Sequence, residues 1–351
     1  MRKLKVGYWP LTESLLTAGD RRRLVFWAAE RGHSIVRDIT QSVDVIVATE
    51  NSDFNSIVFS KNRAPIIFDL VDSYLSPLNI YDDYARGLAK KFSNQISGSI
   101  KPFSKHISDF CERSNAVICS SVEQEELVKR YNSNTHVILD SHEEIPFNKP
   151  RLHIGKVPTS HRILWEGQPA TLPGVGKISE VLSHLSESYN LEFDFVTDLK
   201  YFKFLNKYYK KSTFDLLKRD HGEVVQSFNL VPWTPENLLF SSHNCNIAMI
   251  PIDLSIPMQR LKPENRLLIM WRLGLPCLTS ASSAYSRVAG KAGVNVVCEN
   301  LDAWLVNFRQ LLDNPGFAYE EIIRGQDYLL ENHTRALLLG KWDRAIESVM
   351  G

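Results

Sequence analysis

The chain has 351 residues, 44% hydrophobic and 23% charged, with 41 Lys+Arg against 40 Asp+Glu. One hydrophobic core stops growing near ~250–300 residues, so two domains are expected, and the neutral balance excludes an overall nucleic-acid glove or an acidic solvating chain. With 17 Gly and 16 Pro, a collagenous or low-complexity chain is excluded as well.

The opening residues, MRKLKVGYWPLTE, carry charge but no apolar stretch, so no signal peptide is expected there. Short apolar runs then alternate with amphipathic stretches. Strands are predicted at 5–9, 34–39, 43–48, 65–71, 115–120 and 136–139, with helical patterns at 19–32 and 122–131. The segment 145–161 carries three prolines and no helical period, which marks it as a linker. Alternation restarts with strands at 162–166, 191–197, 223–231, 246–252, 276–280 and 295–299. Helices are predicted at 175–189, 200–218, 235–242, 263–273, 283–291, 301–313 and, with a break, 318–349. This order predicts an α/β fold of two Rossmann-like parallel-sheet domains facing across a cleft: 1–150, 151–333, and a terminal helix at 334–351 returning to the first domain. The five cysteines (111, 119, 245, 277 and 298) form no CxxC pair, and Cys119, Cys245 and Cys277 lie in or beside apolar runs. Neither a disulfide framework nor a metal site is expected, and a reducing compartment is favoured. The expected location is the cytoplasm, or a peripheral place on the inner face of the cell membrane.

Ligands of open parallel sheets bind outside the carboxyl ends of the strands. In the second half those ends carry Gly167-Gln168, Asp198, Pro232-Trp233, Asp253, Ser280 and Glu299; in the first half, Thr49-Glu50 and Asp72-Ser73 among others. Polar strand ends are common in any α/β protein, so the pattern gives a place rather than a ligand. The most specific segment is 246–285, where a strand ends at Pro251-Ile252-Asp253 and a helix is predicted to open on Lys262-Pro263-Glu264-Asn265-Arg266. Pro263 suits a first helical position, and Lys262 and Arg266, four apart, would share a face. Free amides plus two cations would seat a diphosphate; the alternative is a solvated helix end with two surface cations.

The run strand–P–x–D … KPENR … WxxGLPxLxS … AY resembles the donor-binding half of the group 1 (family four) glycosyltransferases of the GT-B fold. SSVEQEELVKRY, RILWEGQPATLPGVGKISEVLSHLSE, LVPWTPENLLFSSHNCNIAMIPID and ENHTRALLLGKWDRAIESV resemble further stretches of that family in the same order. Counting back from Gly274-Leu275-Pro276, Leu261 and Ile269 stand where the family carries two glutamates, and Gln168 replaces an arginine of its glycine loop. The resemblance implies transfer of a sugar from a nucleotide-diphosphate sugar to a glycan or lipid-linked acceptor, as in surface polysaccharide assembly. It further implies retention of configuration, no metal, and no cofactor beyond the donor substrate. It assigns Lys262 and Arg266 to the leaving diphosphate, with Gly167 and Gln168 in the glycine loop and Asp253 at the end of the donor strand. Trp233 would stand at the base and Glu264 and Asn265 at sugar or ribose. Asp72 is the candidate acceptor-side base. A nucleotide-sugar epimerase and a non-catalytic binding subunit are the alternatives; the first would need acidic groups on both faces of the sugar ring, which the sequence does not locate.

Other features stay open. GVGKIS (174–179) fails as a phosphate loop, because Thr171 stands at its first glycine and Ile178 at its Ser/Thr. No role falls to His106, His142 or His161. Arg21, Arg22 and Arg23 crowd a predicted helix start, screened by solvent or, alternatively, meeting an anionic ligand. Between Asp83 and Asp109 there is no acid, while Arg86, Lys90, Lys91, Lys101 and Lys105 interleave with Phe92, Ile96, Ile100 and Phe103 at roughly helical spacing. That stretch suits either an anionic membrane face or an ordinary solvated helix. For 200–219, with seven basic residues, the ordinary helix is the preferred reading.

Overall fold

Among the described residues, twelve of fourteen strands form two parallel sheets, and each grows from a short apolar run. The computed structural model describes residues 2–38, 40–58, 60, 62–93, 95–150, 160–202, 210–223, 225 and 227–351. They fold as two units. The first comprises Met1–His142, Ile256–Pro263 and Thr334–Gly351; the second comprises Glu143–Ser255 and Glu264–His333.

In the first unit, β1 (Lys5–Trp9), β2 (Ser34–Val36), β3 (Val45–Thr49), β4 (Ile66–Leu70), β5 (Ala116–Cys119) and β6 (Thr135–Val137) line up in the order β2-β1-β3-β4-β5-β6. All pairings are parallel. Both faces are covered, which is why these strands read as unbroken apolar runs. Alternation sends Val45 and Val47 to one core and Ile46 and Ala48 to the other. The Arg335–Met350 helix completes the first of these cores with Trp342, Ala345 and Ile346. Trp342 stacks on Trp27 at 6.0 Å, and the Trp27 indole donates to Asp343 at 2.8 Å.

The second unit holds β7 (Ser160–Glu166), β8 (Asn190–Thr197), the antiparallel pair β9 (Lys200–Phe202) and β10 (Lys210–Ser212), then β11 (Phe228–Pro232), β12 (Ile247–Ile250), β13 (Cys277–Ser280) and β14 (Val297–Cys298). Six of them form a parallel sheet in the order β11-β8-β7-β12-β13-β14. Counted within the unit this is the 3-2-1-4-5-6 order of a Rossmann sheet, and the order reverses between β7 and β12. Residues 143–150 fold here too: Asn148 donates its amide to the Arg272 carbonyl at 2.8 Å, and its own carbonyl accepts from Gln326. Of the predicted linker, 151–159 lie outside the described residues.

Four expectations are corrected. The 200–218 helix is instead the antiparallel pair β9–β10 followed by a helix only at Thr213–His221; Ser212 caps that helix by accepting from the Asp215 amide, and Tyr201 and Phe202 in β9 favour extended chain. Residues 203–209 of the basic stretch lie outside the described residues. The apolar spacing through 92–103 does not belong to one helix, because Ile80–Phe92 and Phe103–Arg113 are separate, with Gly98 at φ +91° and Pro102 between them. Third, Arg23 is not screened by solvent. It is fully buried, with Nε 3.0 Å from Asp69 Oδ2, Nη1 on the Ile138 carbonyl at 2.7 Å and Asp140 at 3.3 Å. Burial lowers its affinity for a proton, but the two carboxylates outweigh this and push its pKa up. The fourth correction, at the candidate diphosphate seat, follows.

Candidate functional site

The order reversal in the second unit puts the carboxyl ends of β7 and β12 side by side, which is where a ligand of such a sheet binds. β7 ends on Glu166, which is 8% exposed. Its Oε1 accepts from the Trp233 indole at 2.8 Å, and its Oε2 stands 3.5 Å from Arg266 Nε. The Arg266 guanidinium lies 5.2 Å from the centre of the Trp165 ring and rests against Gly167. A Cβ at position 167 would come within 3.2 Å of Arg266 Cζ and 3.0 Å of Thr171 Oγ1, so glycine makes the room. The Arg266 side chain is 18% exposed, yet Nε and Nη2 donate no hydrogen bond among the described residues. Buried N–H groups without an acceptor cost free energy, and an anion with oxygens to spare relieves that cost.

Arg266 belongs to the Asn265–Arg272 helix, whose N-cap residue is Glu264. The helix does not open on Lys262-Pro263, which corrects the sequence reading. A residue before proline is driven out of the helical region, so the chain stays irregular at Lys262 and turns helical only two residues after Pro263. Lys262 and Arg266 therefore share no helix face. The amides of the first turn lack intrahelical partners, and Leu268 is the first to donate back, to the Glu264 carbonyl at 3.2 Å. The Asn265 side-chain oxygen is buried there without a hydrogen bond. Glu264 is 3% exposed and is gripped by Arg287 of the Ser283–Ala292 helix, with both carboxylate oxygens at 3.2 Å.

The surrounding loops are pinned. Asp253 accepts from the Ser255 amide and hydroxyl at 3.0 and 2.6 Å and pairs with Lys177 at 3.2 Å. Burial opposes its ionisation, but these donors hold its carboxyl below the ordinary range. The predicted glycine loop opens at Gly167-Gln168 and runs on to the short helix Pro173–Gly176, with Gly174 against β12's end: a Cβ there would sit 2.2 Å from the Pro251 carbonyl oxygen. Trp233 follows β11, its amide on the Thr197 carbonyl at 3.0 Å, and Thr234 caps the Pro235–Asn244 helix. Gln168 is exposed, and its carbonyl caps the turn to Thr171.

In the first unit Asp72 follows β4 and pairs with Lys262, Oδ1 to Nζ at 3.4 Å. The 256–263 segment is tied down by Ser121 Oγ, which donates to the Leu261 carbonyl at 3.0 Å. Nearby, Glu50 follows β3, is 6% exposed and accepts from the Val71 amide at 3.2 Å. Burial, with the Asp72 charge adding to it, pushes the Glu50 carboxyl up to about 8. Glu50 also lines a cavity of about 600 Å³ with Asp53, Phe54, His106, Phe110 and Arg113. Burial and the Lys101 ammonium bring His106 down to about 4, so it is neutral there.

The predicted residues thus fall into two groups. Gly167, Trp233 and Arg266 meet around Glu166; Asp72 and Lys262 meet each other. Sequence reasoning gave no role to Glu166, Arg287 or Glu50. Glu166 and Glu50 were visible at strand ends, but their partners come from distant segments. His161 lies at the amino end of β7, away from Glu166, where it packs edge-on against Tyr189 and burial lowers its pKa. His142 is buried at the close of the first segment. All five cysteines are free and buried.

No protein-family model matches the chain, and no curated protein does. Solved structures do. The chain resembles HepE from Anabaena, solved with UDP and glucose, at 11% identity and TM-score 0.63, covering 98% of this chain and 100% of that one. It resembles WaaG, a glycosyltransferase involved in lipopolysaccharide biosynthesis, at 12% identity and TM-score 0.55, covering 99% of each. TarM matches at 12% identity and TM-score 0.60 over 92% of this chain, which spans 57% of TarM. The fold is that of the GT-B glycosyltransferases, with two Rossmann-like domains.

Proposed function

We propose that this protein is a glycosyltransferase that moves a sugar from a nucleoside-diphosphate sugar to a glycan or lipid-linked acceptor in the cytoplasm, as in surface polysaccharide assembly. The observation that carries the reading is Arg266: a guanidinium whose buried Nε and Nη2 make no hydrogen bond among the described residues, at the switch point of a Rossmann-type sheet, beside an indole and the free amides of a helix start. These groups suit a diphosphate next to an aromatic base. The nucleotides present in the solved relatives support the same class: UDP in HepE, and UDP-2-fluoro glucose in a trehalose-6-phosphate structure from E. coli.

Departure of the nucleoside diphosphate builds negative charge on its phosphates. Arg266 and the first-turn amides would meet that charge, which lowers the barrier to bond breaking. Trp233, held by Glu166, would flank the base, and Asn265 would reach the ribose or sugar. Arg287 fixes Glu264 and with it the start of the helix. On the acceptor side Asp72 would take the proton of the attacking hydroxyl, its charge balanced by Lys262. Arg266 and the helix-start amides would do the work that a metal does in other transferases, so the reaction is proposed to be metal-independent, and by family resemblance to retain configuration.

Isothermal titration with UDP-, GDP-, ADP- and dTDP-sugars tests the reading. Binding of one sugar nucleotide, followed by release of its nucleoside diphosphate on adding glycan acceptors in the presence of EDTA, is the expected result. Binding of none of them overturns it.

A further inference from the structure

The first unit holds a cavity of about 600 Å³ that neither Asp72 nor Lys262 lines. Small-ligand sites occupy about 300–1,000 Å³, so the volume suffices for one. One end touches Glu50, just past the carboxyl end of β3. From there the cavity follows the Phe103–Arg113 helix, which lines it at Phe103, Ile107, Phe110 and Arg113. At 1.5 Å per residue that stretch is ~15 Å long. Arg113 stands three residues before β5 begins, so the cavity runs down the flank of the first sheet toward the amino ends of its strands. The facing wall is the start of the Phe54–Val58 helix and the turn at 97–99. These two are fastened together. Asp53 accepts from the Ser97 amide and hydroxyl at 3.2 and 2.9 Å, and Asn55 donates to the Ser97 carbonyl at 3.0 Å. Gly98, at φ +91°, makes the turn that a side chain would strain.

The lining chooses among ligands. Its fixed charges balance, Lys101 and Arg113 against Asp53 and Asp109. Glu50 and His106 add no charge near neutral pH. Burial holds the Glu50 proton up to about 8, and burial with the Lys101 ammonium keeps His106 neutral down to about 4. A phosphate or carboxylate would therefore lose its water and meet no net charge. A hydrocarbon chain would cover Glu50 and His106 and offer neither a hydrogen bond, although His106 makes none among the described residues. A flat base needs a slot between rings. Here Phe54 packs on Phe110 at 4.3 Å and Phe110 on Phe68 at 4.1 Å, so the aromatic side is a closed wall. A pyranose ring fits what remains. Its C–H face needs only an apolar wall, and its hydroxyls both donate and accept, as a protonated carboxyl, a neutral imidazole and an amide require. We propose that this cavity binds uncharged sugar residues of a glycan. Binding there needs no nucleotide, so the site stands apart from sugar transfer.

Saturation-transfer NMR on the intact chain, without nucleotide, tests the proposal. The probes are neutral trisaccharides of glucose, mannose, galactose and N-acetylglucosamine, with glucose 6-phosphate, uridine and octanoate standing for the other occupants. At least one trisaccharide should bind. Ser99→Trp places an indole at the mouth of the cavity and should lower that affinity by about tenfold or more. Ser99 is exposed, so the melting temperature should stay unchanged and report that the variant is folded. His106→Ala removes one hydrogen bond and should weaken binding by about 3- to 10-fold. Titration with UDP reads the donor site separately: Ser99→Trp should leave it unchanged, and a parent chain that binds a trisaccharide but no nucleotide would sink the transferase reading alone. Failure of every trisaccharide to bind, or binding indifferent to Ser99→Trp or to His106→Ala, overturns the proposal. So does a signal from glucose 6-phosphate, uridine or octanoate, in place of the trisaccharides, that Ser99→Trp removes.

Discussion

Replacing Arg266 with alanine should separate phosphate recognition from base recognition. The guanidinium offers two N–H groups that find no acceptor within the described protein, Nε and Nη2. A charged hydrogen bond contributes about 1.5–3 kcal/mol, and part of that is recovered by water entering the emptied space. A net loss of about 2–3 kcal/mol is therefore expected for UDP, or about 30- to 150-fold in Kd. Uridine, which lacks the phosphates, should lose less than about threefold. Arg266→Lys retains a charge but not the planar fork, and should fall between the two. The alanine variant also strips Glu166 Oε2 of its only cation among the described residues, 3.5 Å away, so a lower melting temperature should accompany it. Calorimetry with UDP and uridine, on variants shown folded by circular dichroism, reads the difference. Equal losses for both ligands would mean that Arg266 shapes the site without touching phosphate, and the argument from its unpartnered N–H groups would fail.

Trp342→Ala should cost about 3–5 kcal/mol in denaturant unfolding, since the indole is 1% exposed and stacked on Trp27. Gly174→Ala should destabilise the second unit by about 1–3 kcal/mol, because the new methyl meets backbone at Pro251 and not a yielding side chain. Glu50 makes stability pH-dependent. With its carboxyl at about 8 in the fold against an ordinary 4.5, the folded state holds a proton that the unfolded state has lost between those values. Stability therefore falls as pH rises from about 4.5 to about 8, by an order of a few kcal/mol, and is flat in this respect above and below. Glu50→Gln should remove that slope in urea titrations across the range; an unchanged slope would place it on another group.

The strands were legible because a parallel sheet covered on both faces has no solvent side to alternate with. β3 is buried at all five positions and appears in the sequence as VIVAT. Helix rotation was far less legible. Through 80–105 the sequence shows apolar and basic residues at helical spacing, and nothing in that spacing says which face turns inward. The decision falls to Asp83 and Gly87, whose partners Ser104 and Lys101 lie on the far side of a turn. A polar residue and a glycine hold the inward face because they satisfy backbone and hydroxyl groups that apolar side chains would leave unpaired. Likewise, three arginines at 21–23 look alike in sequence, but Arg23 is the one buried against Asp69 and Asp140, and those carboxylates come from β4 and the chain after β6.

At the site, two local rules competed for Pro263. Proline is favoured as the first helical residue, and proline also expels its predecessor from the helical region. The first rule alone joins Lys262 and Arg266 on one face. In the fold the helix waits for Asn265, because Glu264 is claimed by Arg287, 23 residues further on, and its carbonyl opens the helix. A two-residue delay thereby assigns the cations separately: Lys262 goes with Asp72 and the first unit, Arg266 with Glu166 and the second. The consequence is chemical as well as geometric. Each cation stands beside a carboxylate, Lys262 at 3.4 Å from Asp72 and Arg266 at 3.5 Å from Glu166, but Nε and Nη2 of the planar Arg266 fork make no hydrogen bond among the described residues. Of the two cations named from the sequence, the diphosphate argument therefore rests on Arg266, and Lys262→Ala should weaken UDP binding much less than Arg266→Ala does.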